Sequence, residues 1–150
     1  MASKIPNSAL ANMINGVIDL NTSDIRARLV MLNTTCDTEV DAINNLSNYT
    51  TIDPSDATGY ADVALTTETV AADDTNNRAN FYTAADIVFA GLSGDATRNY
   101  QGVLLYKYVD GTNANDIPLA FVEFSSAVPK EATQVTVPSS TTNLLQASQG

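Results

Sequence analysis

Between Arg98 and Val109 the side chains alternate. Tyr100, Gly102, Leu104, Tyr106 and Tyr108 fall on one face of an extended chain, and Val103, Leu105 and Val109 on the other,. Both faces are apolar at the centre, so this segment is expected as an interior strand of a layered β structure, covered on both sides. Ile117–Phe124 has the same two-sided character, and the polar loop from Asp110 to Asp116 joins the pair into a hairpin,.

The remaining segments agree with that architecture. From Asp24 onward, Ile25, Ala27, Leu29 and Met31 alternate with Arg26, Arg28, Val30 and Leu32, which predicts a strand with a partly solvated arginine face,. Further strands are expected over Tyr60–Leu65, extending through Thr66 to Val70, and over Ala79–Thr83, Ile87–Ala90 and Ala132–Val137,. Turn chemistry separates them, notably Asp53-Pro54-Ser55-Asp56 with Gly59, and Asp73 to Asn77,. Two segments carry helical spacing. Leu10, Met13, Ile14, Val17 and Ile18 fit a helical turn entering a strand, and Val40, Ile43, Leu46 and Tyr49, preceded by acidic residues, predict a helix over 38–49,. The chain is 150 residues long, a single-core length, and no internal repeat or domain boundary divides it,. The expected fold is mainly β, a compact antiparallel β-sandwich or barrel with one or two short helices and extended polar termini. Its parts are an N-terminal arm over 1–9, a β domain over 10–138 and a C-terminal tail over 139–150.

Composition narrows the chemistry. Seventeen acidic residues against seven basic ones give a net charge of −10, and such a chain repels phosphate backbones and anionic lipid,. Neither nucleic acid nor membrane is an expected partner. There is no His, which removes the commonest general base near neutral pH, the His-dependent nucleophile pairs and most catalytic zinc sites,. The single Cys36 has no internal disulfide partner and no basic cluster beside it in sequence, so it reads as a buried small residue,. The N-terminal residues lack the apolar core of a secretory signal, which predicts synthesis in a cytoplasm,.

Carboxylates are the plentiful titratable groups, but Asp53 with Asp56 and Asp73 with Asp74 fall in turns, where Asp bonds nearby backbone,. Asp73, Asp74, Asn76 and Asn77, or Asp110, Asn113, Asn115 and Asp116, offer oxygen ligands for Ca²⁺, yet neither set has EF-hand spacing,. No phosphate-binding glycine loop is present,. The aromatic set Tyr100, Tyr106, Tyr108, Phe121 and Phe124 lies on the two most apolar strands and reads as core rather than as a ligand platform,. No catalytic residue, metal site or cofactor is expected. Arg26, Arg28, Arg78 and Arg98 are four of the seven basic residues, and in an acidic chain they can pair with a neighbouring subunit,. The candidate interface residues are Lys4, Ile5, Arg26, Arg28, Leu144 and Leu145.

The order of segments resembles a known group. Leu10…Ile14-Asn15-Gly16-Val17-Ile18-Asp19-Leu20 is followed by Asp24-Ile25-Arg26-Ala27-Arg28-Leu29-Val30, then Gly59-Tyr60, Asn80–Phe89, Thr97–Lys107 and Pro118–Phe124. Over residues 10–138 this order is similar to that of tailed-bacteriophage virion structural proteins of the capsid decoration, or cement, type. It departs from the group where Ala61-Asp62-Val63 follows Tyr60 in place of further glycines. The resemblance implies binding to the outer capsid shell as an oligomer and assigns no active site; the expected assembly is a homo-oligomer, a trimer, bound to the major capsid protein and bridging capsomers. A tail, connector or fibre-associated virion component and a carbohydrate-binding module on the virion are the alternatives.

Overall fold

In a computed structural model the protein is described over residues 2–76, 78–139 and 143–148. Ten strands and one α-helix are formed among these residues: β1 (Ala2–Lys4), α1 (Asn7–Ile14), β2 (Ile25–Met31), β3 (Val63–Ala64), β4 (Glu68–Asp73), β5 (Arg78–Thr83), β6 (Ile87–Ala90), β7 (Tyr100–Lys107), β8 (Ile117–Val128), β9 (Gln134–Val137) and β10 (Leu145–Ser148). All pairings are antiparallel. The largest sheet runs β1-β8-β7-β2-β3, a second runs β10-β5-β4, and β6 pairs with β9. The fold is mainly β and sandwich-like, as the alternation predicts.

The two-sided strands lie where two-sided burial requires. β7 sits between β2 and β8, and β8 between β7 and β1. One face of the large sheet presents Ile25, Ala27, Leu29, Met31, Val103 and Leu105 to the main core, which the smaller sheets complete through Phe81, Phe89, Val135 and Val137. The other face presents Val30, Leu104, Tyr106 and Phe121 to a second core, closed by Cys36, Ile43, Leu46, Tyr49 and Ile52. Burying both faces of one sheet removes the solvated side that antiparallel sheets often keep. Gly102 is the close-approach point of this packing: a Cβ there would stand 2.5 Å from the Val122 carbonyl oxygen and 2.6 Å from the Phe121 ring.

Tyr100 belongs to the main core rather than to the face of Leu104 and Tyr106. Register shifts between Tyr100 and Gly102 against β8, and between Val30 and Met31 against β2, insert an irregularity that turns Tyr100 to the opposite face,.

The helix expected over 38–49 is not formed. Only a single 3₁₀ turn, Leu46–Asn48, occurs there, although Ile43, Leu46 and Tyr49 are buried at the anticipated three-residue spacing, with Val40 half-buried. The competing local bonds explain the difference. Ala42 has a left-handed φ of 58°, and Asn48 Oδ1 accepts from the Asn44 and Asn45 N–H groups. Glu39 is engaged by Thr35 and Thr50 rather than by a helix terminus. Side chains of this kind satisfy backbone outside a helix.

The two ends are extended but fastened. β1 pairs with β8, Ala2 opposite Glu123, and α1 starts at Asn7 within the stretch expected as an irregular arm. After α1 the chain turns at Gly16 and enters no strand before β2. At the other end β10 pairs with β5, Leu145 opposite Phe81. The apolar pair in the expected tail is what docks it: Leu144 is 2% exposed and Leu145 5%.

Candidate functional site

Three side-chain arrangements stand out, and the first gathers around the arginine face of β2. Arg28 donates from Nε and Nη2 to Asp62 Oδ2 at 2.9 and 2.8 Å, and from Nη1 to Asn113 Oδ1 at 2.9 Å. The Tyr106 hydroxyl donates to Asp62 Oδ2 at 2.7 Å and the Tyr60 hydroxyl to Asp62 Oδ1 at 2.5 Å, while Tyr60 accepts the Leu29 N–H. Asp62 therefore takes four hydrogen bonds from three side chains, a fully connected polar cluster at the sheet edge. Burial, then the Asp62 charge, pushes the Tyr60 phenol far above its ordinary range; burial and the Asp62 hydrogen bond do the same for Tyr106. Burial works against the Arg28 charge, but the Asp62 hydrogen bond and charge outweigh it and raise the guanidinium pKa. Both phenols thus stay protonated and act as donors to Asp62.

Arg26 stacks over the Tyr108 ring at 3.4 Å and pairs with Asp24, and Arg28 lies 5.0 Å from the centre of the Tyr106 ring. Both arginines, expected as subunit contacts, are thus satisfied within the chain. Arg28 is largely covered; Arg26 keeps part of its surface. Leu144 and Leu145 are buried, their side chains closing the β5 side of the main core, and Leu145 also lines an apolar groove beside α1. Lys4 is exposed on β1, and Ile5 is half-buried against the main core.

The second arrangement is a pair of reciprocal clasps. Asp56 accepts the N–H and hydroxyl of Thr97 at 3.0 and 2.6 Å, and Asp95 accepts the N–H and hydroxyl of Thr58 at 2.8 and 2.7 Å. Both segments read Asp-Ala-Thr, 56–58 and 95–97, with Ala57 and Ala96 buried between them. This duplicated tripeptide was the signal available in the sequence. Its shortness and the 39-residue offset hide it from a search for repeats of structural size. The same device recurs where Glu39 grips Thr50 through N–H and hydroxyl. Hydrogen bonds from the Thr hydroxyl and then the Thr N–H hold the Asp56, Asp95 and Glu39 carboxyls below their ordinary values.

In the Asp110–Asp116 loop several of the oxygens offered for a cation are engaged within the chain, Asn113 Oδ1 by Arg28. Asp110 binds the Thr112 N–H and hydroxyl and the Asn115 amide, and Asp116 Oδ1 takes three successive N–H groups from Val109 to Gly111. Asp116 Oδ2 is buried without a partner. The other loop, 73–77, includes Asn77 and the Asp73 side chain, which lie outside the described residues. No cluster of three or more metal-ligating side chains occurs among the described residues. Cys36 is buried, and burial pushes its thiol up to about 12.

The third arrangement is an apolar groove of about 80 Å³ between α1 and the β10-β5-β4 sheet, lined by Ile5, Met13, Leu20, Val70, Phe81 and Leu145. Here Ile5 and Leu145, two of the expected interface residues, meet across one surface feature. No described helix is long and apolar enough to cross a membrane. No family model matches the chain, and neither a curated protein nor a solved structure matches it.

Proposed function

We propose that the protein is a non-enzymatic structural subunit of a phage virion, decorating the outer capsid surface and bridging capsomers as a homo-oligomer. The observation that carries this reading is the use to which its carboxylates are put. Asp53, Asp56, Asp62, Asp95 and Asp110 are engaged by Arg, Thr, Tyr or Asn side chains, so they staple loops rather than face a substrate. A shell clamp needs that: a rigid, soluble module folded without disulfide or cofactor, acting by many weak contacts multiplied over copies. The net charge of −10 suits the outside of a shell better than a surface against packaged DNA,. Of Tyr100, Tyr106 and Tyr108, the first two are buried and the third partly buried under Arg26, which speaks against a carbohydrate platform that needs those rings in solvent,.

The test is electron microscopy of purified virions with and without the protein. Hundreds of copies on the outer shell, and particles that rupture at lower temperature without it, are the expected outcome. A few copies or a dozen at a vertex or tail would place the subunit in a connector or fibre instead.

A further inference from the structure

We propose that Asn15 is a site of spontaneous deamidation, opened to reaction by fraying of the turn that ends α1. The reaction needs neither shell nor partner and is independent of the proposed function.

Asn15-Gly16 is the one Asn-Gly step in the chain. An asparagine loses its amide when the next backbone nitrogen attacks the side-chain Cγ, and a glycine, having no Cβ, leaves that nitrogen unhindered. Asn15 is exposed, and its amide has no hydrogen-bond partner among the described residues. Other asparagine side chains are held. Asn7 is bound to Asp41, Asn113 to Arg28 and Asn115 to Asp110, while Asn48 and Asn99 accept backbone N–H groups. Nothing lies within 4 Å of the place where a Cβ on Gly16 would stand, so water has free access to the step.

The geometry of the turn sets when the reaction can occur. Gly16 follows the last residue of α1 in the left-handed conformation, at a φ of 71°. The Val17 N–H donates to the Asn12 carbonyl at 2.8 Å and the Gly16 N–H to the Met13 carbonyl at 3.2 Å, the two bonds of a Schellman cap,. While the cap is closed, attack is blocked twice: the attacking N–H is engaged, and the Asn15 ψ of 0° turns the Gly16 nitrogen away from the Asn15 side chain. Yet the cap is lightly built. The apolar contact that commonly locks such a turn would here join Val17 to Asn12 or Ala11, and Val17 is left 43% exposed,. Beyond it Ile18 is buried and Lys107 Nζ holds the Val17 carbonyl at 2.6 Å, so the cap opens from its helix side,.

Once it is open, the Gly16 nitrogen gives its proton to hydroxide and bonds to Asn15 Cγ. The bond from Cγ to the amide nitrogen breaks, and that nitrogen takes a proton from water and leaves as ammonia. Water then opens the cyclic imide at either carbonyl, leaving an aspartate or an isoaspartate at position 15. The net exchange is one water for one ammonia, with no oxidant or reductant. Either product sets a carboxylate at the C-terminal end of the helix, where the dipole disfavours it, and the isoaspartate lengthens the backbone through the cap by one carbon. Each event therefore weakens the turn that restrained it.

Peptide mapping by mass spectrometry tests this on the full chain, held in mildly alkaline buffer either native or in concentrated urea. In the native chain position 15 is expected to convert before every other asparagine, giving both acid products. It should do so about tenfold more slowly than in urea, the cost of opening a helix end. Asn12→Leu, which supplies the missing apolar contact to Val17, should slow native conversion several-fold and leave the rate in urea unchanged. A native chain that keeps the Asn15 amide while the urea sample converts, or that loses another asparagine first, overturns the site. A native rate equal to that in urea, or a folded Asn12→Leu chain that converts like the wild type, overturns the gating by the cap.

Discussion

Asp62 shows how much one side chain can organise. Its carboxylate collects Arg28, Tyr60 and Tyr106 from β2, β7 and the strand-free stretch before β3, and through Tyr60 it reaches the Leu29 N–H where β3 no longer runs beside β2. Asp62→Asn keeps the shape but removes the charge and converts acceptor positions into a donor, leaving Arg28 partly uncompensated in a largely covered site. The expected loss is about 2–4 kcal/mol of unfolding free energy, read as a lower urea midpoint at unchanged slope. The cluster was only half visible in the sequence. Alternation along β2 placed both arginines on one face, but their acidic partner was hidden, because Arg28 and Asp62 are separated by 34 residues and no local pattern links them. The in-chain partner of Arg28 was therefore not readable from the sequence.

At the scale of elements, strands were legible and the irregular connections were not. A period of two is readable along β2 and β7, and β5, β6 and β9 fall at or within the segments expected as strands,. The segment from Thr38 to Tyr49 shows the opposite limit. Its apolar spacing reports real burial, but Asn and Thr side chains satisfied the backbone locally and no α-helix formed,. The paired Asp-Ala-Thr clasps are a second connection device, and their chemistry makes a pH prediction. Asp56 and Asp95 have folded-state values below the ordinary 3.8, so the unfolded chain binds protons first as the solution is acidified,. Their contribution to stability is complete above that ordinary value and disappears as pH falls through the depressed folded values. Urea midpoints followed from about pH 5 to about pH 2 should fall. In the Asp56→Asn, Asp95→Asn double variant the midpoint should start lower and fall less steeply. A residual slope is expected from Asp19, Glu39 and Asp110, which are depressed in the same way. An unchanged slope would show that the clasps do not couple to folding.

For the whole molecule, the sandwich-like architecture followed from two strands with two apolar faces, while the treatment of the ends did not follow from composition. Polar residues suggested arms; pairing decided otherwise, because β1 lies on the outer edge of β8 and β10 on β5. Tertiary pairing of this kind leaves no periodic trace in a strand of three or four residues. The placement of β1 also sets the order of events in time. Ala2–Lys4 lie opposite Phe121–Glu123, so the middle of the edge of the twelve-residue β8 is covered by a segment from the far end of the chain, and the sequence separation predicts that this closure comes late,. Until it does, β8 offers a bare row of backbone donors and acceptors to any neighbouring chain. Removing residues 1–4 should therefore change refolding yield more than equilibrium stability, with aggregation rising steeply with protein concentration when refolding is followed by light scattering. The short first strand is, in kinetic terms, a built-in guard against the molecule sticking to unfinished copies of itself.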